Sequence, residues 1–240
     1  MKKYTLRCNV RVAVLSSGGK DSSYAHWWSI MQGWDVVALI TCKIKNNDSF
    51  MFQIPCIDIV KTQAKVTNTE YIELIISGEE NLEMYELEEL ILTKMQCGES
   101  LFGVEALISG ALRSDYQKTR IERMCENLDL KSFSPLWHND SEKHMLALIS
   151  HGFEIMITAV SCEGLGEKWL GRIIDKSSID ELIQISKKYR FNVDGEGGEF
   201  ETSVLDAPHF NSKINVHIEK KWLKSRGLIK FKSILMENNS

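Results

Sequence analysis

The chain has 240 residues, 29 Lys and Arg against 33 Asp and Glu, and 43% apolar side chains. That length suits one large or two small domains and needs no disulfide or metal staple, and the composition excludes disorder and collagen. No run of about 18 apolar residues exists to span a membrane, and a net charge of −4 argues against general nucleic-acid binding, a local basic groove aside.

The basic start, Met1 to Arg11, leads into a strand too short and too charge-flanked for a signal peptide. Val10–Leu15 is an apolar run of the buried parallel-strand type, broken by Ser16-Ser17-Gly18-Gly19. Asp21–Gln32 carries Tyr24, Trp27, Trp28 and Met31 at helical spacing, and Gly33 stops it. Asp35–Thr41 reads as a strand, Ile57–Val66 as a helix and Tyr71–Ile76 as a strand. Glu79–Gln96 is predicted as a helix with Met84, Leu87, Ile91 and Met95 on one stripe. Val104–Ser109 is a fourth strand, and Ser114 caps a helix whose apolar face is Ile121, Met124, Cys125 and Leu128.

This alternation predicts an α/β fold: a parallel, doubly wound sheet with helices on both faces. Ligands then sit beyond the strand ends, at Ser16–Asp21, from Thr41 onward, and at Ser109–Ser114. The second half differs, with a strand at Ile155–Val160, a helix at Ile179–Tyr189 and a strand at Ser203–Leu205. We expect a first, ligand-binding domain over 1–130 and a smaller α+β domain over 131–240 that completes the site. The six cysteines (Cys8, Cys42, Cys56, Cys97, Cys125 and Cys162) form no Cys-x-x-Cys pair, which fits a reducing cytoplasm and disfavours a zinc ribbon.

Three segments carry chemistry. Ser17-Gly18-Gly19-Lys20-Asp21-Ser22 lies between a strand and a helix. Glycines let backbone wrap an anion, and the helix N-terminus adds free amides and a positive dipole end. The site suits a pyrophosphate but is not a Walker loop, which needs glycine at Val14 and Ser or Thr at Asp21. The second segment, Ser109 to Glu122, presents Gly110, Arg113, Tyr116 and Arg120 as a polar, cationic face, and arginine can clamp phosphate or carboxylate. The third, Asp194-Gly195-Glu196-Gly197-Gly198-Glu199-Phe200-Glu201, runs on to Asp206-Ala207-Pro208. Its carboxylates can bind a cation, hold magnesium or deprotonate ammonium, and Glu199 and Glu201 point the same way if extended. Read alone, an acidic surface hairpin explains that segment equally well.

The first segment resembles the PP-loop ATP pyrophosphatase family, marked by Ser-Gly-Gly-x-Asp-Ser after the first strand. Members cleave ATP to AMP and pyrophosphate while adenylating an oxygen that a nucleophile then displaces. Taken with Pro135-Leu136-Trp137, Asp140, Glu163-Gly164-Leu165 and Leu170-Gly171, the three segments resemble the diphthine–ammonia ligase family in its short archaeal-type form, from about Val10 to Pro208. The resemblance implies a PP-loop (HUP-like) fold, ATP and magnesium. It also implies amidation of diphthine on a histidine of translation elongation factor 2, with free ammonium as the nitrogen source.

On that reading Lys20, Asp21, Glu196, Glu199 and Arg120 are catalytic. Ser16, Ser17, Gly18, Gly19, Ser22, Ile40, Thr41, Gly110 and Ser114 hold the nucleotide, with strand-end backbone at Ile40 and Thr41 accepting the adenine. Tyr116, Gln117, Trp137, Gly197, Gly198 and Glu201 face the substrate, and Asp21 is the magnesium ligand. The expected partners are elongation factor 2 and ammonium, with no membrane and no stable nucleic acid, and a homodimer is allowed.

The sequence departs from its relatives at Gln53 and Cys56, where histidine and asparagine are frequent, and at Phe200, where tyrosine is common. A transfer-RNA-modifying PP-loop enzyme and a nucleotide sensor without ligase activity are the rival readings. The single cysteines count against a thiolation enzyme, and intact Lys20, Asp21 and Glu199 against a sensor. The histidines show no metal spacing and read as packing or surface, with His138 beside Trp137 the one to watch. Residues 211–240 carry no recognisable motif. The small net charge conceals a cationic Arg113–Arg120 face and an acidic Asp194–Asp206 loop, expected to meet across one cleft.

Overall fold

The computed structural model describes residues 10–45, 57–79 and 82–237. Gln53 and Cys56 lie outside the described residues, as do Cys8 and the start up to Asn9. Five strands, β1 (Arg11–Leu15), β2 (Asp35–Ile44), β3 (Glu70–Ile76), β4 (Ala106–Ile108) and β5 (Lys131–Phe133), form a parallel sheet in the order β3-β2-β1-β4-β5. Four helices connect them: α1 (Lys20–Met31), α2 (Ile57–Val66), α3 (Glu83–Lys94) and α4 (Asp115–Asn127).

The alternation in β1 explains why the sheet is covered on both faces. Val12 and Val14 pack with Ala25 of α1 and Val60 and Ala64 of α2. Ala13, between them, packs with Leu87 and Ile91 of α3 and Met124 and Cys125 of α4. The chain leaves β1 in one direction to build β2 and β3, then returns to place β4 on the other side. Such a reversal opens a crevice at the strand ends, and the Ser16–Ser22 loop stands there.

Helix α1 does not bury the predicted Tyr24–Trp27–Trp28–Met31 stripe. Lys20, Ser22, Ser23, Ala25, His26 and Ser29 are its buried residues, and Met31 is 63% exposed. Small side chains let α1 lie close to its neighbours on both sides. The aromatics flank it, with Tyr24 and Trp27 against the second half and Trp28 against Trp34 and Phe133.

The second half holds α5 (Ser141–Ser150), β6 (Glu154–Val160), a 3-10 turn (Glu167–Trp169), β7 (Ile173–Ile174), α6 (Lys176–Tyr189), β8 (Phe200–Asp206), β9 (Ile214–Leu223) and β10 (Arg226–Met236). Its sheet is antiparallel. β8 runs along one edge of β6, while β7 and the β9–β10 hairpin meet β6 on its other side. An Asp175–Ser178 capping box starts α6.

The largest core cluster does not respect the division into halves. It joins Ile59 and Val66 of α2 to Ile155, Ile157, Val204 and Leu182 of the second half.

Several expectations need correction. The first sheet runs through Phe133, because β5 pairs in parallel with β4, so a division at 130/131 cuts off its last strand. Three residues with an exposed Lys131 give no period to read. Helix α3 is shorter at both ends than Glu79–Gln96. The tail beyond 211 is a long hairpin whose turn residue Lys224 takes φ 56° without the glycine or asparagine that would announce it.

Candidate active site

The loop after β1 is held from three directions. Ser16 donates its amide to the Ile40 carbonyl at 2.8 Å, and the Thr41 hydroxyl donates to the Ser16 carbonyl at 2.9 Å. The Gly18 carbonyl, on a residue at φ +80°, accepts from Val204 N at 3.1 Å and Gln63 Nε2 at 3.0 Å. Gln63 also donates to the Val204 carbonyl at 2.9 Å, so one buried amide ties α2, the loop and β8 together. Thr202 Oγ1 accepts from the Lys20 amide at 3.2 Å. A Cβ on Gly19 would stand 3.3 Å from the Thr202 carbonyl, which explains a small residue there. Ile40 and Thr41 therefore fix the loop, and both also line the cleft. Gly19 caps α1 without a side-chain oxygen, and Asp21 and Ser22 at the start of α1 line the crevice.

Asp21 is the electrostatic centre. Lys20 Nζ reaches its Oδ2 at 2.7 Å, and His144 Nε2, from α5, its Oδ1 at 2.8 Å. Burial pushes the Asp21 carboxyl up, but the Lys20 charge and the His144 hydrogen bond outweigh it and hold it below the usual range. Lys20, expected as catalytic, is buried against Asp21 and does not line the crevice. Among the described residues no cluster of three or more His, Cys, Asp or Glu groups could hold a metal. A magnesium ion would fit only as a companion of nucleotide phosphates, with Asp21 as its protein carboxylate.

Gly110, at the end of β4, abuts α1 directly. A Cβ there would lie 2.6 Å from the Asp21 carbonyl carbon and 2.7 Å from Ser22 N, so glycine is required by backbone packing. Ser114 Oγ accepts from Gln117 N at 3.3 Å and caps α4, a structural task in place of the expected nucleotide contact. Arg120 stacks over Tyr116 at 4.0 Å.

The cationic and acidic segments meet as expected, through Arg113. Its guanidinium donates to Asp194 Oδ2 at 2.6 Å and to the Asn139 carbonyl at 3.0 Å, and its amide donates to Glu196 Oε1 at 3.1 Å. Asp194 is fully buried and anchors the acidic loop. Burial pushes the Glu196 carboxyl up, and neighbouring Asp21 and Asp194 add to this against the Arg113 amide.

The loop's other acids do not join Glu196. Glu199 Oε1 accepts from Asn192 N at 2.9 Å, and the carboxylate sits near Cys162, whose thiol is pushed up first by burial and then by the Glu199 charge. Glu201 instead stands near Lys20 and Asp21: burial first pushes its carboxyl up, the Lys20 charge opposes this and the Asp21 charge adds to it. The two do not point the same way, because β8 begins only at Phe200 and Glu199 stays in the turn.

One cleft of about 530 Å³ gathers the site. It is lined by Ser16, Ser17, Asp21, Ser22, Ile40, Thr41, Gly110, Tyr116, Gln117, Arg120 and Glu196. Gly18, Gly19 and Lys20 lie outside this lining, as do Ser114, Trp137, Gly197, Gly198, Glu199 and Glu201. Trp137 carries Lys118 Nζ over its ring at 5.1 Å, and Gly197 and Gly198 are exposed. Sequence reasoning missed Leu15, Met84 and Leu87, which with Ile40 and Ile121 give the cleft an apolar wall for a flat base. Met84 and Leu87 were legible only as a helix stripe. Gln63, Thr202 and His144 were missed for want of any local signal.

Known proteins resemble this chain along most of its length. Models described as Diphthamide synthase N-terminal domain and Diphthamide synthase C-terminal domain match residues 10–132 and 140–236. A Homo sapiens protein named diphthine–ammonia ligase is 34% identical over 229 residues, covering 86% of this chain and 83% of that protein. A Bos taurus protein of the same name gives the same figures. A longer Schizosaccharomyces pombe protein, also so named, is 32% identical over 223 residues, covering 85% of this chain and 36% of its own length. A solved structure from Methanocaldococcus jannaschii, described as a predicted subunit of tRNA methyltransferase, superposes with a TM-score of 0.41 at 16% identity over 82% of this chain and 99% of its own, too loosely to bear on the site.

Proposed function

The chain belongs to the diphthamide synthase family, and on that premise we propose that it amidates diphthine on a histidine of translation elongation factor 2, using ATP and ammonium. The observation that carries this reading is the cleft at the β1/β4 crevice, where the Ser16–Ser22 loop and the Glu196 carboxylate from the second half face one volume.

Carboxylate amidation needs an activated leaving group, because hydroxide leaves poorly. ATP supplies it: the diphthine carboxylate attacks the α-phosphorus, pyrophosphate leaves, and ammonia then displaces AMP from the acyl carbon. The Ser16–Ser22 loop and the start of α1 bind the phosphates. The apolar wall receives the base. Arg120, held over Tyr116, presents a cation to the carboxylate. Glu196 draws ammonium into the cleft, and its raised affinity for protons makes it the base that frees ammonia for attack. Asp21, which lines the cleft, is itself held by Lys20 and His144 from behind. Magnesium would arrive with the nucleotide, held by phosphate oxygens and Asp21, and would neutralise charge there.

The test uses purified protein with ATP, ammonium and diphthine-bearing elongation factor 2. Mass spectrometry of the modified histidine should show the amide, with AMP formed in equal amount. Release of ADP and phosphate, or AMP formed with no amide on the factor, would overturn the reading.

A further inference from the structure

The β9–β10 hairpin has no part in the cleft, yet it carries a strong positive surplus in an acidic chain. Residues 214–236 hold Lys220, Lys221, Lys224, Arg226, Lys230 and Lys232 against one acid, Glu219. This is a surplus of five in a chain whose total is −4, so the remainder carries −9.

The register shows where these charges stand. Lys230 is opposite Glu219, and Arg226 is opposite Leu223, which places them on one face. Lys232, at the bulge after Phe231, bonds Glu219 from the same side. The Glu219 carboxyl is held below its usual range, first by that hydrogen bond and then by the charges of Lys232, Lys221 and Lys230. The opposite face is different: Ile214, Val216, Ile218, Trp222 and Phe231 turn to the core, and Lys220, paired with Ile229, also belongs to that side rather than to the basic face.

At the ends of the basic face stand Leu223, 61% exposed, and Leu235, 56% exposed. Cations between exposed leucines suit a folded acidic surface. Single-stranded nucleic acid wants aromatic platforms for its bases, and the hairpin's two aromatics, Trp222 and Phe231, are packed against the core.

Position also matters. Val160 of β6 pairs with Phe200 on one side and Gly227 on the other. Gly227 thus lies two strand spacings, about 10 Å, from Phe200. Phe200 follows the acidic loop that puts Glu196 in the cleft, so the hairpin turn is at the cleft's end of this sheet.

We infer that the outer face of β9–β10 is the docking surface for an acidic surface of the protein substrate, holding it beside the cleft. This rests on the proposed function only for the identity of the partner. Long-range attraction of this kind acts on encounter and on salt dependence.

Docking and chemistry are read separately. Affinity for elongation factor 2 is measured without ATP, at low and raised ionic strength, for the wild-type chain and for Lys224→Glu with Lys230→Glu. The variant should bind about tenfold or more weakly and lose most of its salt dependence. In turnover its KM for the factor should rise by a similar ratio, while kcat and the KM for ATP stay unchanged. Equal affinity of the two proteins would overturn the inference. So would a variant that keeps its affinity for the factor but loses binding to an RNA oligonucleotide, which would make the face a nucleic-acid surface. A wild-type chain that binds the factor through this face yet forms no amide would support the docking and count against the proposed chemistry alone.

Discussion

The two glycine-rich loops of this protein look alike in composition and behave differently. In the Ser16–Ser22 loop the backbone and side chains are gripped from outside: Val204 and Gln63 hold the Gly18 carbonyl, Thr202 the Lys20 amide, and His144 the Asp21 carboxylate. In the Asp194–Glu201 loop Arg113 fixes Asp194 and Glu196, Ser161 bonds the Gly198 and Glu199 carbonyls, and Glu199 folds back on Asn192, so no outside partner aims Glu199 at the cleft. Glycines give a loop room to bend. Which of its side chains reach a ligand is decided by partners far away in sequence.

Four experiments can break or sharpen that contrast. The largest effect belongs to the first loop. Asp21→Ala leaves Lys20 buried without its carboxylate and strips His144 of its partner, and AMP formation should fall by about a thousandfold. Circular dichroism checks that the chain still folds, and near-normal AMP formation would remove Asp21 from the mechanism. Next comes Glu196→Gln, expected to lower amide formation about a hundredfold while ATP affinity is kept. Parallel loss of both would mean that Glu196 acts on the nucleotide instead.

A smaller and gradual effect involves the buried pair His26 and His209, whose rings meet at 4.6 Å. Burial holds His26 well below the usual histidine range and brings His209 to about 4. Above pH 6.5 both states of the chain keep these rings neutral. Below it the unfolded chain takes up protons that the folded one refuses, so stability falls as pH drops from 6.5 toward 4. Urea midpoints across that range should show the slope, and His209→Gln should flatten it; an unchanged slope would free the pair of this role. The smallest effect is Glu199→Gln, which keeps the acceptor for Asn192 N. Its turnover should stay within about twofold of wild type, and a loss like that of Glu196→Gln would show that both acids serve the cleft.

Much of this was legible in the sequence for a physical reason. Ser17–Ser22 is a local device, a turn followed by a helix start, and local devices leave local residue patterns. The parallel sheet was equally readable, since β1 to β4 are near-continuous apolar runs. Glu196, Tyr116 and Arg120 were found with it, because the β4–α4 turn and the acidic loop carry their own glycines and charges. The misplaced residues failed for an opposite reason. Lys20 was expected as catalytic because the motif holds a cation, but Asp21 next to it is the nearer anion. His144 reads as an ordinary helix residue until α5 is laid across α1. The hairpin was hidden by a turn without glycine and by lysines that mask its alternation.

One feature of the fold bears on how such a protein can be rearranged. Gln63 of α2 bridges the first loop to Val204 of β8, and Ile59 and Val66 of the same helix complete the core of the other half. The two regions matched as separate family domains are thus joined like a key and its lock rather than like beads on a string. Exchanging one half for that of a distant relative would preserve every residue of the nucleotide motif and still unseat it. The motif is inherited on one half, but its shape is co-owned by both, and the pair must be transplanted together.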